Sequence, residues 1–301
     1  MLVTLAESRQ ALQDHVARDR AKVYADFLQQ VDNPTEPAGA NTRSAVRRQG
    51  RRRLRILAEG DSWFKYPLGP PSHPLRDGVI FHLESLLGYP IVNMAEPGDE
   101  VRTMLGLKQR EELISRLNDP NIHYDALLFS GGGNDLVGDQ LCIWLKDTPP
   151  APPPSQMLYD NAVNGALAVL DAEFRELARI RDRYSPNTAI FVNCYDVPAV
   201  TGIGVCGYGP WLKPSLDYVY GQMGVVPAPN DEYLVVKTVL KQFDAMLRKI
   251  PTSGVQNLVV VPTQGTLGPN KSDWQNEIHP SSKCFRKIAK KFQGALKAYF
   301  P

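Results

Sequence analysis

The stretch RLRILAEGDS, residues 53–62, decides the fold. A short apolar run closes on Gly60, and Asp61 and Ser62 follow at once. A nearly continuous apolar run of this length is typical of a strand that is buried on both faces, as in a parallel sheet. In open α/β sheets, ligand sites lie at the carboxyl ends of the strands. We therefore expect a buried strand that delivers a polar pair to a functional edge.

Apolar strands and amphipathic helices alternate along the rest of the chain. The strands predicted after the first lie at 90–96, 124–130, 188–196 and 256–262, and the predicted helices lie at 77–88, 99–117, 157–183, 232–249 and 281–299. Apolar strands that alternate with helices indicate a parallel sheet with helices on both faces. We predict a three-layer α/β/α fold around a flavodoxin-like parallel sheet of about five strands.

Two insertions interrupt this alternation within a domain that we place at 51–301. The first, 138–156, contains the run DTPPAPPPS, which we expect to be extended and stiff. The second, 197–230, is long and irregular but rich in aromatic residues. Because disordered loops are usually poor in aromatic residues, we predict an ordered lid or pocket wall there, with Tyr208 and Trp211 as substrate-binding candidates.

Residues 1–50 form a separate arm in this interpretation. Apolar residues at helical spacing predict a helix over 4–32, whose apolar stripe either packs on the main domain or contacts a partner. A linker of small and turn residues, 33–50, follows this helix. Seven arginines then lie between residues 43 and 55. This tract is either a solvated arm or a surface for an anionic partner, and it lacks the interleaved aromatics that base stacking needs.

The composition is that of an ordinary globular protein. In 301 residues, 34 Lys and Arg face 32 Asp and Glu, and 43% of the residues are hydrophobic. The net charge of +2 argues against a dedicated nucleic-acid binder, and the apolar content argues against disorder. No apolar segment has the length of a transmembrane helix, and the first residues lack the pattern of a signal peptide. We therefore expect a cytoplasmic protein, with leaderless export as the alternative.

The four cysteines lie far apart in the sequence and form no CxxC pair. This spacing is not that of a zinc site, so no metal is expected from the cysteines. A disulfide framework is also not expected in a chain of this length. We interpret the cysteines as free thiols, with Cys194 as a small core residue in the fourth strand.

Four polar stretches stand where predicted strands end or where the last helix begins. They are GDSW at 60–63, AEPGD at 95–99, GGGND at 131–135 and NEIHP at 276–280. A serine hydroxyl needs a base to take its proton, and imidazole titrates near neutrality. A tetrahedral oxyanion needs donors held in place, which a glycine N–H and an asparagine amide can supply. The glycine run is not followed by Lys-Ser or Lys-Thr, which excludes a nucleotide P-loop.

These stretches resemble, in order, the four blocks that define the SGNH hydrolases, also called the GDSL esterase/lipase superfamily. The matching residues are Ser62 in GDSW, Gly98 in AEPGD, Asn134 in GGGND and His279 in NEIHP, and the resemblance covers about 54–300. It implies the SGNH hydrolase fold, with Ser62 as nucleophile and His279 as base. It also implies an oxyanion hole made of the Ser62 and Gly98 N–H groups and the Asn134 side-chain amide. No metal and no organic cofactor is implied.

The third member of the triad departs from the family pattern, DxxHP. Asn276 occupies the position of the family's aspartate, three residues before His279, and Asp273 lies six residues before it. An asparagine can accept a hydrogen bond from imidazole through its amide oxygen, but it supplies no negative charge. Three partners for His279 therefore stay open: Asn276, Asp273 and a backbone carbonyl.

The resemblance implies hydrolysis of carboxylic esters through an acyl-Ser62 intermediate. A carbohydrate O-acetylesterase, acting on a glycan ester with the same residues, is the alternative activity. An alternative from a different functional class is that the chain is an inactive SGNH scaffold, which binds a partner through residues 4–32 and the arginine tract. The intact set of four residues argues against this last alternative.

Overall fold

Five parallel strands form the centre of the described part of the molecule. The computed structural model describes residues 53–68, 77–205 and 207–301, together with Arg18 and Ala25. The strands are β1 (Ile56–Gly60), β2 (Val92–Asn93), β3 (Ala126–Ser130), β4 (Ala189–Asn193) and β5 (Leu258–Val261). Their order is β2-β1-β3-β4-β5 and all pairs are parallel. The prediction of a flavodoxin-like parallel sheet of five strands is confirmed.

Helices cover both faces of the sheet. They are α1 (Val79–Leu87), α2 (Val101–Met104), α3 (Leu107–Leu117), α4 (Gly133–Leu136), α5 (Leu141–Trp144), α6 (Asp160–Tyr184), α7 (Lys213–Gln222), α8 (Asp231–Thr252) and α9 (Ser282–Tyr299). The described part of the chain contains no helix that is both long and apolar enough to cross a membrane.

Aromatic contacts show which helices pack on which face. Phe129 of β3 contacts Phe174 of α6, which in turn contacts Phe243 of α8. Phe191 of β4 is in register with Leu128, the residue next to Phe129, so its side chain points to the opposite face of the sheet. There it contacts Tyr299 of α9. Burying each such ring stabilises the fold by about 1.5–3 kcal/mol. The sheet is therefore the middle layer of a three-layer α/β/α sandwich.

Some predicted elements differ in detail from the observed ones. The helix predicted over 99–117 is two helices, because the chain breaks at Gly106, which has an extended conformation and caps α3. The second strand is only two residues long. The insertion 197–230, predicted as irregular, contains the ten-residue helix α7. The sequence of α7 does not have a clear helical pattern, because its ten residues are only weakly amphipathic and include Pro214 and a glycine.

The predicted N-terminal helix over 4–32 and the linker 33–50 lie outside the described residues, apart from Arg18 and Ala25. Within the arginine tract, only Arg53 and Arg55 are described, and both are exposed. The division into an arm and a domain stays a prediction. Cys194 is a buried free thiol directly after β4, and Cys142 and Cys284 are also unpaired.

Candidate active site

A serine and a histidine from opposite ends of the domain meet at the carboxyl edge of the sheet. Ser62 lies in the turn after β1, and His279 lies in the loop before α9. The Ser62 Oγ is 2.7 Å from the His279 Nε2. Both side chains are buried, with 6% and 4% of their surface exposed. This is the geometry in which an imidazole can take the hydroxyl proton.

The turn that carries Ser62 is held from below by its neighbour, Asp61. One oxygen of the Asp61 carboxyl accepts the Trp63 N–H at 3.0 Å and the Ser130 hydroxyl at 3.0 Å. The Tyr195 hydroxyl donates to the other oxygen. Burial raises the pKa of Asp61 to about 7, and these hydrogen bonds act against that rise. Asp61 therefore braces the nucleophile turn and makes no contact of its own with His279 among the described residues.

The orientation of the Asn276 amide is fixed by its partners. Its Oδ1 accepts two backbone N–H groups, those of Ile278 at 3.2 Å and His279 at 3.1 Å. Its Nδ2 donates to the Tyr66 hydroxyl at 3.1 Å. A backbone N–H is always a donor, so the oxygen must face the histidine loop.

The amide of Asn276 in turn fixes the tautomer of His279. The His279 Nδ1 lies 2.8 Å from the Asn276 Oδ1, so Nδ1 carries the proton and donates it. Nε2 is then left with a lone pair that faces the Ser62 hydroxyl. The site thus places an asparagine where a charged acid stands in a Ser-His-Asp triad, with the same directional effect but without the charge.

His279 is enclosed by aromatic rings. Tyr66 lies on one side with a ring-centre distance of 4.7 Å, and Trp211 contacts the imidazole edge-on at 5.4 Å. Burial lowers the pKa of His279 to about 3, and no described carboxylate counteracts this effect. The imidazole is therefore neutral, and able to act as a base, throughout the physiological pH range.

The pH dependence of activity should reflect this lowered pKa. A base with an ordinary histidine pKa of about 6.5 loses its lone pair below that pH. Because the pKa of His279 is lowered, we expect kcat/KM to stay within about threefold between pH 5 and pH 7. Measuring kcat/KM from pH 4 to pH 8 in buffers of constant ionic strength tests this. An acidic inflection near pH 6.5 that persists in Asp61→Asn, and so does not belong to the Asp61 carboxyl, would show that the imidazole is solvated in solution.

The three groups predicted as oxyanion donors follow β1, β2 and β3 at this edge of the sheet. Neither the Ser62 N–H nor the Gly98 N–H donates a hydrogen bond within the described ranges, so both stay available. Gly98 has a φ of +87°, a conformation that favours glycine. Asn134 borders the same cavity as Ser62. Its Nδ2 donates one hydrogen to the Asp99 carbonyl at 2.8 Å, which fixes the amide and leaves the second hydrogen free.

The glycine run before Asn134 is required by close packing. A Cβ on Gly132 would lie 2.6 Å from the ring of Phe243, and Gly132 has a φ of +98°. A Cβ on Gly133 would lie 2.8 Å from the ring of Tyr195. Only glycine lets the start of α4 approach these rings, and this approach places Asn134 at the rim of the site.

Comparison with known proteins rests on structure, because the sequence matches no protein-family model and no curated protein. The lipase Lip_vut3 from a goat rumen metagenome is 15% identical, with 81% of this chain and 97% of that chain covered and a TM-score of 0.52. An extracellular lipase from Streptomyces rimosus is 14% identical, with 81% and 100% covered and a TM-score of 0.50. At such identities the likeness establishes the fold.

The chain has the SGNH hydrolase fold. Its strand order and the position of Ser62 after the first strand agree with the resemblance seen in the sequence. The likeness in fold covers 81% of this chain, and the roles of individual side chains rest on their own geometry.

Beside Ser62, the SGNH fold of this chain forms a small cavity of about 40 Å³ that is partly open to solvent. Its polar lining consists of Asp61, Ser62, Asn134 and Asp196, and its apolar lining includes Val137, Tyr195, Pro198, Val236, Leu240 and Ile278. Within the described residues, no group of three or more His, Cys, Asp or Glu is placed to hold a metal ion.

Two predicted site residues lie away from this geometry. Asp273 accepts hydrogen bonds from the Cys284 thiol at 3.3 Å and the Gly268 N–H at 3.3 Å, and none from His279 among the described residues. Burial acts to raise the pKa of the Asp273 carboxyl, but these hydrogen bonds and the nearby Lys283 and Lys287 bring the pKa below its usual value. Tyr208 is 72% exposed and does not line the cavity.

Three residues of the site were not recognised as such in the sequence. Tyr66 fixes Asn276, Tyr195 donates to Asp61, and Glu277 anchors the second insertion. Tyr195 follows the apolar run of β4, and its place at a strand end is the signal that could have drawn attention to it. Tyr66 and Glu277 carry no comparable signal, because their partners are distant in the sequence or are backbone groups.

Proposed function

We propose that the protein is a serine hydrolase that cleaves carboxylic esters through an acyl-Ser62 intermediate. The observation that carries this proposal is the chain of contacts from the Ser62 Oγ to the His279 Nε2 and from the His279 Nδ1 to the Asn276 Oδ1. The two solved structures compared above are both named as lipases, which agrees with it.

The first half of the reaction uses the resting geometry. The Ser62 hydroxyl proton passes to the His279 Nε2 as the Oγ attacks the ester carbonyl carbon. The oxyanion forms next to the Ser62 and Gly98 N–H groups and the Asn134 amide. When the intermediate collapses, the alkoxide leaves with the proton from Nε2, and the acyl group stays on Ser62.

The second half repeats these steps with water. A water molecule gives a proton to the His279 Nε2 as its oxygen attacks the acyl carbon. Collapse then breaks the bond to Ser62, which recovers the proton from Nε2, and the carboxylic acid leaves. In both halves the Asn276 Oδ1 keeps the His279 Nδ1–H pointed away from Ser62, so that Nε2 is the atom that accepts and donates each proton.

The lining of the cavity favours an acyl chain over a sugar. Val137, Val236 and Leu240 present apolar surface next to Ser62, while a sugar would require paired hydrogen-bonding groups. The carboxyl of Asp196 already accepts three backbone N–H groups, those of Val197, Gly265 and Leu267. An ester with a short or medium acyl chain is therefore the substrate class that we propose.

Purified protein tests the proposal directly. Hydrolysis of p-nitrophenyl esters from acetate to decanoate should be measurable, with kcat/KM rising from acetate to a longer acyl chain. A fluorophosphonate probe should label the protein once per chain. Preference for acetylated sugars over all p-nitrophenyl esters would favour the carbohydrate O-acetylesterase. Absence of both turnover and labelling would favour the inactive scaffold.

Removal of the Asn134 amide should affect the chemical step. We expect Asn134→Ala to lower kcat by roughly 10²–10³ with KM changed by less than about threefold, because the donor acts on charge that develops in the transition state. Asn134→Asp is the matched variant: it keeps the shape, cannot donate, and adds a negative charge beside the oxyanion. Its kcat should be lower still. A rise in KM alone in both variants would make Asn134 a binding residue.

A further inference from the structure

A buried carboxylate that the proposed reaction does not use lies two residues before His279. Glu277 is completely buried. Its Oε1 accepts the N–H groups of Gly202 at 3.1 Å and Lys213 at 2.9 Å. Its Oε2 accepts those of Trp211 at 2.5 Å and Leu212 at 2.6 Å. Two carboxylate oxygens thus bind four backbone N–H groups of the second insertion.

Three of these four groups lie at the start of α7 or in the two residues just before it. The N–H groups of Trp211, Leu212 and Lys213 stand where a helix leaves its donors without intrahelical acceptors. The helix start also carries a partial positive charge that a carboxylate complements. Hydrogen bonds to a charged acceptor are about twice as strong as those between neutral groups. Glu277 is therefore a strong attachment point for segment 202–213, of which residues 202–205 and 207–213 are described.

The same attachment joins this segment to both catalytic loops. The Glu277 N–H donates to the Ile203 carbonyl at 3.0 Å, which adds a link in the opposite direction. The next carbonyl, that of Ile278, accepts the Trp63 Nε1–H at 3.0 Å, beside Ser62. The ring of Trp211 contacts His279. One carboxylate thus lies between the aromatic segment and the loops of Ser62 and His279.

We propose that Glu277 is a positioning residue, which fixes segment 202–213 on the histidine loop and so holds Trp211 against His279. This inference rests on the proposed hydrolase function. In this role Glu277 touches neither substrate nor the reacting atoms. It acts through Trp211, whose ring restricts the imidazole to the position from which Nε2 reaches Ser62.

The variant Glu277→Gln tests the attachment. Glutamine has the same shape, but its amide presents hydrogens to N–H groups that need an acceptor. Amide hydrogen exchange of the peptide that covers 202–213 should become at least about tenfold faster, since charge-assisted hydrogen bonds are lost. The ring-proton resonances of His279 should also shift as Trp211 moves. Unchanged exchange and unchanged resonances would overturn the proposal.

Kinetics separate positioning from a general structural role. Per active site titrated with fluorophosphonate, we expect kcat of Glu277→Gln to fall roughly 10-fold to 100-fold with KM within about twofold, because the chemical step depends on geometry. A merely structural role would reduce the number of titratable sites and leave kcat per site unchanged. Thr188→Val, which removes a buried hydroxyl bond at the opposite end of β4, should show this second behaviour.

A double variant shows whether Glu277 acts through Trp211. If it does, Glu277→Gln in combination with Trp211→Ala should have the kcat of Trp211→Ala alone. If the fold-decreases in kcat of the two single variants multiply in the double variant, the proposal is overturned. Should Glu277→Gln not fold, Glu277→Asp keeps the charge with a shorter reach and should show smaller changes in the same directions. Amide exchange and His279 resonances require no turnover, so they decide the attachment even where the wild-type protein hydrolyses no ester.

Discussion

Ser62→Ala is expected to abolish ester hydrolysis, with kcat at least about 10⁴-fold lower than in the wild-type protein. The Ser62 hydroxyl is the group that forms the covalent bond. No other described serine contacts the His279 Nε2. The substitution removes one oxygen from a turn whose backbone is held by Asp61. The fold should therefore persist, and the thermal midpoint should change by only a few degrees.

The measurement combines turnover, labelling and unfolding on the same preparations. Ser185→Ala is the matched control, because Ser185 is also a buried serine but lies after α6, where it pairs with Thr188. This control should lose stability and keep activity and labelling. Ester hydrolysis by Ser62→Ala above the rate of the buffer, or fluorophosphonate labelling at another residue, would contradict the assignment of the nucleophile.

The sheet was predictable from the sequence because its strands are buried on both faces. Runs such as Ala126–Ser130 and Ala189–Asn193 are apolar up to their last residue, and this pattern can be read without knowledge of any contact. The long helices α6 and α8 were predictable for the same reason, since each has one continuous apolar face.

Short helices and supporting side chains were not predictable in this way. Helices α2, α4 and α5 have four residues each, which is too short for a hydrophobic period to be recognised. The contact of Asn276 with Tyr66 joins residues 210 positions apart. The four bonds of Glu277 go to backbone groups, which every sequence has. Local patterns therefore indicate where the site lies, and long-range contacts determine how its residues are held.

The partner of His279 is decided by three variants on one loop. Asn276→Ala removes the acceptor of the Nδ1–H, so the imidazole can rotate or change tautomer, and we expect kcat to fall by roughly 10³–10⁴. Asp273→Asn should lower kcat by less than about tenfold, because Asp273 contacts Cys284 and Gly268 and not the imidazole. Near-wild-type kcat in Asn276→Ala and in Asp273→Asn would leave a backbone carbonyl as the partner.

Asn276→Asp supplies the charge that the natural site lacks. The carboxylate can accept the same three N–H groups, and the Tyr66 hydroxyl, which now accepts from Asn276, can turn and donate instead. A negative charge beside Nδ1 stabilises the imidazolium, so kcat at pH 8 should equal or exceed that of the wild-type protein. The same charge raises the pKa of His279, and protonated imidazole is no base. On acidification from pH 8 to pH 5, kcat of Asn276→Asp should therefore fall at a higher pH than kcat of the wild-type protein. If kcat of both proteins falls at the same pH, Asn276 is not the partner of His279.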